Sequence, residues 1–428
     1  MAPTALPLLR GLAAVATLLV VVDAFAEDPV TVGPMVGAVD HGSARIWFRP
    51  AAAGDVTLVV TDDAGHAVYE RTSGATPDHD LCVTWVVGDL AADTTYRYTI
   101  RAGRDAGPVA ESSFRTAPRP GAPARTVLGF GSCAAETFPA VWTRMAAEGV
   151  EAVLLCGDTP YINSSELAVN RDRHRAFLAQ AGLRDLVRSR PTLGTWDDHD
   201  FGGNDTDGTE VDRDTIRRVF MEYRALATFG EGNAGIYTTF RRGPVEVFLI
   251  DARWFSRAEP SPVDQTKPTL LGKRQWEWLQ RSLAASTAPF KVLATGLVWH
   301  DKPNKEKDDW ETYAHEREAL WRFIGEHRIS GVVLLSGDVH VSLRLEHPTA
   351  ETAGYPLVEY VVSPLHDRVL PRLVPEGNPR LRWSAAEPNV FLRMEADSTG
   401  TVPKLTSTWI SMDGRRLHEH VLEAAPRP

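Results

Sequence analysis

The pattern of apolar positions divides the chain into two regions, and the longer one begins near residue 126. Short continuous apolar runs there predict buried strands at 127–131, 152–156, 192–194, 244–250, 291–296 and 331–336. Stretches of helical periodicity predict helices at 141–147 and at about 166–188, 212–228, 272–285 and 311–327. Continuous apolar strands separated by helices indicate an α/β domain with covered sheet faces. From about residue 356 the pattern is less regular, with closing strands expected at 406–410 and 417–422.

The first region has a different pattern, in which alternating or β-branched runs end at Gly and Asp turns. Its strand at 94–100, preceded by Gly-Asp-Leu, resembles the tyrosine-bearing strand of a fibronectin III or immunoglobulin-like sandwich. No cluster of acids and histidines occurs in it, so a structural or positioning role is expected. We therefore predict an all-β domain at 27–117, a proline-rich linker at 118–125 and a catalytic domain at 126–428.

Residues 1–26 have the pattern of a secretory signal peptide. Arg10 supplies the positive charge, 11–22 form a short apolar run, and Ala24-Phe25-Ala26 is a cleavage site. An N-terminal membrane anchor is the alternative, but the run is shorter than the ~20 residues of a membrane-spanning helix. The sequence thus predicts an exported protein without a transmembrane span after cleavage.

Composition places the chain among ordinary globular proteins and limits its partners. The 428 residues are 43% hydrophobic and 24% charged, with a net charge of −10. This balance gives no indication of nucleic-acid binding, and it gives no general attraction for anionic phosphate esters. Any affinity for phosphate must come from local cations. The three cysteines leave at least one thiol unpaired.

The candidate chemistry centres on residues 195–205, TWDDHDFGGND, which follow one of the short apolar runs. Four carboxylates, one imidazole and one carboxamide lie within these eleven residues. Carboxylates in an apolar setting take up protons or need a cation between them. A solvated acidic turn is the alternative. The neighbouring Trp196 and Phe201 favour a buried strand end that holds a metal.

Three more polar blocks follow apolar runs, at 131–133 (GSC), 157–161 (GDTPY) and 336–340 (SGDVH). In the last block, an extended backbone would put Asp338 and His340 on one side of the chain. Ligand sites in α/β folds lie beyond the carboxyl ends of the strands, where all four blocks fall. Together and in this order, the blocks resemble those of the alkaline phosphatase D (PhoD-like) branch of the calcineurin-like metallophosphatases. The resemblance implies a two-sheet sandwich flanked by helices, preceded by the β domain.

The resemblance also implies a site with two or more metals. Asp158 would bridge them, and Tyr161, Cys133 and His340 would bind an iron-like metal. Asp338 stands where relatives of the wider superfamily have a histidine, and its oxygen favours a harder second ion such as Ca²⁺. We expect Fe³⁺ with Ca²⁺, with other divalent metals as alternatives.

The remaining candidates belong to the second metal and the substrate. Asp198 would bind the second metal, while His199 would stay off it and face the leaving group as acid or hydrogen-bond donor. Asn204 is a further expected ligand. The neutral Asn163 departs from the acid that many relatives have there. Possible metal, phosphate or supporting contacts are His300, Asp197, Asp200 and Arg253.

The sequence therefore predicts an exported phosphoesterase that hydrolyses phosphate esters by attack of a metal-activated hydroxide. Both monoesterase and diesterase activity fit the family. A phospholipase D-like phosphodiesterase is one alternative, and a non-catalytic extracellular binding protein on the same fold is another. No sequence-specific nucleic-acid partner is expected, and the protein is expected to be a monomer.

Overall fold

The computed structural model describes Met1 and residues 31–103, 107–135, 139–304 and 306–424. The remainder of the predicted signal peptide lies outside the described residues. Among the residues described, no helix combines the length and apolar character needed to cross a bilayer.

Seven N-terminal strands form two small sheets that pack face to face. The strands are β1 (Val32–Val39), β2 (Ala44–Arg49), β3 (Gly54–Thr61), β4 (Ala67–Ala75), β5 (Val83–Val87), β6 (Thr95–Ala102) and β7 (Pro108–Arg115). One sheet has the order β1-β2-β5 and the other β4-β3-β6-β7. Inward-facing residues such as Ile46, Leu58, Trp85 and Tyr98 form their common core. Alternation of buried and exposed positions along β5 is what such a half-covered sheet requires.

The rest of the chain forms two larger mixed sheets. The first has the order β10-β9-β8-β18-β19-β20 and the second β11-β12-β13-β14-β16-β15-β17. Their strands are β8 (Arg125–Gly131), β9 (Ala152–Cys156), β10 (Thr192–Thr195), β11 (Thr238–Arg242), β12 (Val245–Leu249), β13 (Phe290–Ala294), β14 (Val332–Ser336), β15 (Ser342–His347), β16 (Leu357–Val361), β17 (Leu381–Ala385), β18 (Val390–Asp397), β19 (Lys404–Ser411) and β20 (Arg416–Glu423). Strands β8, β9 and β10 are parallel, as are β12, β13, β14 and β16.

The two sheets share one core, and helices cover their outer faces. Phe130 and Leu154 of the first sheet belong to the same buried cluster as Val247 and Val292 of the second. The helices are α1 (Pro139–Ala147), α2 (Leu167–Ala179), α3 (Ala181–Val187), α4 (Asp198–Phe201), α5 (Arg213–Tyr223), α6 (Gly272–Ala285) and α7 (Ala314–Glu326). The cluster beside the first sheet includes residues of α1, α2, α3 and α5, and the one beside the second includes residues of α6 and α7.

Most of the predicted elements are present, with several differences, among them the unpredicted strands β11 and β15. The helix expected at 166–188 is two helices separated at Gln180, whose backbone is not helical. The helix expected at 212–228 ends at Tyr223. The region after 356 is more regular than expected, because β16, β17 and β18 lie in it. Strand β18 pairs with β8 and β19, so it lies in the middle of its sheet.

Candidate metal centre and active site

The predicted ligands lie on sharp turns that follow parallel strands. Cys133 follows β8, Asp158 follows β9, and Asp338 and His340 follow β14. Their φ angles are 55°, 54°, 66° and 51°, in the left-handed region. Such conformations cost ~1–3 kcal/mol each in non-glycine residues and concentrate at functional sites. The expectation of extended backbone at 338–340 is therefore wrong, because left-handed turns set the directions of these two side chains.

Three potential ligands from different strand ends meet at one point. Ligand atoms of Cys133, Asp158 and His340 all lie within 4.8 Å of one another. The Cys133 Sγ lies 3.6 Å from Asp158 Oδ2, and the Tyr161 hydroxyl oxygen lies 2.8 Å from His340 Nε2. A thiol, a carboxylate, an imidazole and a phenol thus converge. These four residues are the ones that the sequence predicts for the iron-like metal.

The electrostatics of this group favour a bound cation. Burial and then Asp158 raise the pKa of the Cys133 thiol well above its usual value. Burial and then Cys133 raise the pKa of Tyr161. The pKa of Asp158 is raised as well, first by burial and then by Asp198. These side chains ligate metals as anions, so their common burial needs a positive charge that the group itself lacks. The donor set and its burial therefore fit a metal.

A second group of potential ligands shares Asp158 with the first. Ligand atoms of Asp158, Asp198 and His199 lie within 4.8 Å of one another, and so do those of Asp198, Asp205 and Asp308. Asp158 is thus placed between the first and second groups, where a carboxylate could bridge two cations. Asp205 and Asp308 were not predicted as ligands. The sequence feature that could have identified Asp205 as a ligand is its place in the acidic stretch at 195–205.

His199 lies at the open side of the centre. Its ring faces that of Tyr161 with the centroids 4.8 Å apart, and its Nδ1 contacts Asn163 Oδ1. The His199 carbonyl accepts hydrogen bonds from the backbone N–H groups of Ile162 and Asn163, at 2.9 and 3.0 Å. These contacts join His199 to residues 161–163 and fix the position of its imidazole. With Nδ1 engaged, Nε2 is the ring nitrogen left for a ligand.

Asp197 and Arg253 form a buried ion pair behind the centre. The Arg253 Nε lies 2.7 Å from Asp197 Oδ1, and its two Nη atoms lie 2.7 and 2.9 Å from the Asp308 carboxylate. Both Asp197 and Arg253 are 1% exposed. Asp197 packs so tightly that a Cβ added to Gly157 or Gly296 would approach its side chain to 2.3 Å. This pair therefore supports the turn that carries the second group.

Asp200 acts on the backbone of two site-bearing segments. Its carboxylate accepts hydrogen bonds from the backbone N–H groups of Thr159, at 3.0 Å, and of Asp197. Burial raises its pKa to about 7. These contacts tie the turn after β9 to the turn after β10.

Asp338 is paired with a lysine that the sequence did not single out. The Lys302 Nζ lies 2.9 Å from Asp338 Oδ2, 3.2 Å from Glu306 and 3.8 Å from Asp308. Burial opposes the charge of Lys302, but Asp338 and then Asp308 outweigh it and raise the lysine pKa. The pKa of Asp338 is raised to about 6, mainly by burial. Lys302 therefore occupies one oxygen of the carboxylate that was predicted to bind the second ion.

The last two candidates lie outside the three ligand groups. His300 is fully buried, and its Nδ1 lies 3.0 Å from Glu359 Oε1, while His347 Nε2 lies 2.9 Å from Glu359 Oε2. The His300 Nε2 has no hydrogen-bond partner among the described atoms. Asn204 is exposed on the turn beside Asp205, whose backbone N–H donates to Asp198 Oδ2 at 2.7 Å.

A residue that the sequence did not single out completes the inner wall of the site. The His366 Nε2 lies 3.3 Å from the Tyr161 hydroxyl oxygen, and its Nδ1 accepts a hydrogen bond from the Arg368 backbone at 2.9 Å. The His366 and His340 rings are nearly perpendicular, with centroids 4.5 Å apart. His366 follows β16, which is parallel to β14. Recognising β16 in the sequence would have placed His366 at the same sheet edge.

Comparison with known proteins agrees with the four blocks and their geometry. A family model described as PhoD-like phosphatase matches residues 128–390, more than half of the chain. The chain belongs to the PhoD-like phosphatases. The family resemblance drawn from the sequence is thereby confirmed. A second model, described as a domain of unknown function (DUF7800), matches residues 27–119 of this PhoD-like protein.

Individual relatives support the same assignment. Alkaline phosphatase D of Bacillus subtilis (strain 168) is 27% identical over 383 residues, which cover 74% of this chain and 65% of that protein. The chain thus spans slightly less than two thirds of that relative's length. The solved structure of PhoD matches with a TM-score of 0.76 at 20% identity, over 94% of both chains.

A more distant structure extends the likeness in fold. Purple acid phosphatase PPD1 from yellow lupin (Lupinus luteus) seeds matches with a TM-score of 0.66 at 10% identity, over 92% of this chain and 74% of that one. This PhoD-like chain therefore has the metallophosphatase-like α/β fold that the sequence predicts.

Proposed function

We propose that this protein is a metal-dependent phosphoesterase that hydrolyses phosphate esters. The observation that carries the proposal is the pair of adjacent ligand groups that share Asp158. Two cations held side by side can polarise the oxygens of a phosphoryl group and lower the pKa of an attacking water. Membership of the PhoD-like phosphatases supports the same reaction class.

The first group would hold iron, and the second a harder ion such as Ca²⁺. Support for iron comes from the donor set of Cys133, Tyr161, His340 and Asp158, since thiolate and phenolate are anionic donors suited to Fe³⁺. Support for a harder ion comes from the carboxylates around Asp198. Asn204 remains a proposed ligand on the adjoining turn, and Asp338 is proposed to join the second ion once Lys302 moves from it.

The chain's own residues position the substrate and handle its proton. His199 Nε2 would donate a proton or hydrogen bond to the leaving oxygen, while the contact of Nδ1 with Asn163 fixes the ring. Asp200 and the Asp197–Arg253 pair would hold the surrounding turns in register. His300 stays a proposed ligand or phosphate contact, supported by its unpartnered Nε2.

Several broader features belong to the same proposal. Export is supported by the signal-like residues 1–26, and a fibronectin III-like N-terminal domain by the packing of a three-stranded on a four-stranded sheet. The proposed domain boundaries are those predicted from the sequence, with the linker at 118–125. We also propose that the protein acts as a monomer, without a sequence-specific nucleic-acid partner.

The proposal is tested by metal analysis combined with hydrolysis assays on the purified protein. We expect bound metal, a visible charge-transfer colour from iron, and hydrolysis of p-nitrophenyl phosphate or bis-p-nitrophenyl phosphate in the presence of Ca²⁺. Asp158→Asn should lower both metal content and hydrolysis, whereas the exposed Asp63→Asn should change neither. A protein that binds no metal and hydrolyses neither ester after reconstitution would contradict the proposal. A colourless, iron-free, active protein would contradict the assignment of iron alone.

A further inference from the structure

A cleft of about 460 Å³ opens beside the first ligand group. Tyr161, His340 and His366 form its inner wall, and the exposed arginines Arg173 and Arg368 are among its other lining residues. Its volume lies in the range of sites that hold whole small molecules. A phosphoryl group bound at the metal ligands would therefore leave room for the rest of a substrate beside the two arginines.

The described lining of the cleft has a charge opposite to that of the protein as a whole. The chain has a net charge of −10, yet the charged residues among the described ones that line the cleft are Arg173, Arg368 and Asp367. Arg368 lies close to the inner wall, because its backbone N–H donates to His366 Nδ1 at 2.9 Å and the His366 and His340 ring centroids are 4.5 Å apart. A local positive surface next to an acidic ligand group favours an anion that extends out of the metal centre.

The structure holds both arginines in defined places. The backbone N–H of Arg368 donates a hydrogen bond to His366 Nδ1, which fixes the position of the Arg368 backbone. Arg173 lies on α2 between Arg171 and Arg175, which bind Glu222 and Asp80. Residues i and i+4 of a helix share a face, whereas residue i+2 points away from it. The face carrying Arg171 and Arg175 is thus anchored, and Arg173 is presented to the cleft.

We propose that Arg173 and Arg368 bind a second phosphate group of the substrate, so that the preferred substrates are phosphate esters whose alcohol portion carries another phosphate. The proposal rests on the proposed function and deepens it. Guanidinium groups suit this role because their planar N–H donors pair with phosphate oxygens in a bidentate manner.

Matched substrates test the proposal on the metal-loaded protein. Propyl phosphate and propane-1,3-diyl bisphosphate differ only in the second phosphate. We expect the wild type to prefer the bisphosphate in kcat/KM. Arg173→Gln and Arg368→Gln should each reduce that preference about tenfold, and the double variant should reduce it further, since a hydrogen bond to a charged group is lost each time. Arg322→Gln, an exposed arginine on α7, is the matched control and should keep the wild-type ratio.

A binding measurement separates this proposal from the proposed reaction. Calorimetry with propane-1,3-bisphosphonate and propylphosphonate needs no turnover, so a preference for the bisphosphonate that the double variant loses would support the subsite even if neither ester is hydrolysed. An unchanged preference in the folded double variant, or none in the wild type, would overturn the subsite. Equal binding of 4-phosphonobutanoate, which replaces the second phosphonate by a carboxylate, would overturn its assignment to phosphate.

Discussion

At the scale of single residues, the contacts of a side chain indicate whether it would bind a metal or take part in the reaction. Asp198 belongs to two ligand groups and His199 to one of them, but the His199 ring lies beside that of Tyr161 and its Nδ1 contacts Asn163 Oδ1. We expect His199→Asn to leave the metal content nearly unchanged and to lower kcat by ~10²–10⁴-fold, the usual contribution of general acid catalysis. The loss should be smaller for p-nitrophenyl esters than for alkyl esters, because p-nitrophenolate leaves without a proton.

Asp198→Asn is the matched comparison for this prediction. It should reduce occupancy of the second ion and slow both kinds of ester alike. Metal analysis and kcat for the two leaving groups decide between the roles. If His199→Asn strips metal, or slows both esters equally, His199 is not the leaving-group acid.

His366 is a positioning residue whose effect can be measured apart from turnover. Because its Nδ1 accepts the Arg368 N–H, the neutral ring carries its proton on Nε2, which then donates to the Tyr161 oxygen. His366→Phe removes this donor. We expect metal affinity to fall ~10–100-fold, as is usual for partners of ligating residues, and the tyrosinate-to-iron band to move to longer wavelength. His366→Gln retains an N–H donor and should restore much of both properties; a Phe variant with unchanged affinity and spectrum would refute this role.

Local sequence sufficed to place the candidate ligands that follow strand ends. Cys133, Asp158 and His340 follow apolar runs directly, so the motif and the strand together indicated their meeting point. Lys302 and His366 could not be found in the same way. Their partners, Asp338 and Tyr161, lie 36 and 205 residues away, and such pairs form only through the fold.

At the scale of secondary-structure elements, Glu359 of β16 connects three segments beside the site. Its carboxylate accepts the Trp299 backbone N–H at 2.9 Å and contacts His300 after β13 and His347 of β15. Glu359→Gln keeps the size but offers only one accepting oxygen. We expect the free energy of unfolding to fall by about 1–3 kcal/mol, because a fully buried partner is left unsatisfied.

Chemical denaturation checks this effect, with the exposed Glu326→Gln of α7 as control. Metal content should stay unchanged if the Glu359 network is structural. A loss of metal in Glu359→Gln would instead place His300 among the ligands, since Glu359 would then orient a ligating ring. Equal stability of the two variants would contradict the expected role of the network.

The sequence predicted elements that have a local hydrophobic periodicity, but it missed a strand whose pairing partner is distant in the sequence. Helix α6 occupies the predicted residues 272–285, and its buried positions follow the amphipathic pattern. Strand β18 was not predicted, although it pairs with β8 along most of its length. Its partner lies more than 250 residues earlier, so nothing near β18 in the sequence specifies the pairing.

At the scale of the whole molecule, the N-terminal sandwich is packed firmly on the two-sheet region that carries the candidate site. Trp47 is fully buried in a cluster with Tyr223 and Ala225, and its Nε1 donates to the Glu222 carbonyl at 2.7 Å. The sandwich supplies none of the proposed ligands, so a chain beginning near Arg125 is still predicted to bind metal. Loss of this contact would expose apolar surface, and we expect that shortened chain to be less stable.

Asp80 tests how strongly the two regions are coupled. It lies in the sandwich, and its carboxylate binds Arg49 of the same sandwich together with Arg175 and Tyr223 of the two-sheet region. Burial opposes its charge, but hydrogen bonds from Arg49 and then Tyr223 outweigh burial and lower its pKa. Asp80→Asn removes the carboxylate that Arg49 and Arg175 share. We expect the free energy of unfolding to fall by about 2–4 kcal/mol and the linker at 118–125 to become easier to cleave.

The pH dependence of the stability difference between wild type and Asp80→Asn tests whether the Asp80 carboxylate causes it. A lowered folded-state pKa means that the stabilisation is present above the unfolded pKa of ~3.9 and is lost as the pH falls through the folded value. The gap in unfolding free energy between wild type and Asp80→Asn should therefore be full at neutral pH and shrink below about pH 4. Asp63→Asn, which changes an exposed aspartate of the same sandwich, should show no gap at either pH. A gap that persists unchanged in acid would attribute the effect to the packing of the new side chain rather than to the lost charge, because a protonated Asp80 no longer differs from asparagine in charge.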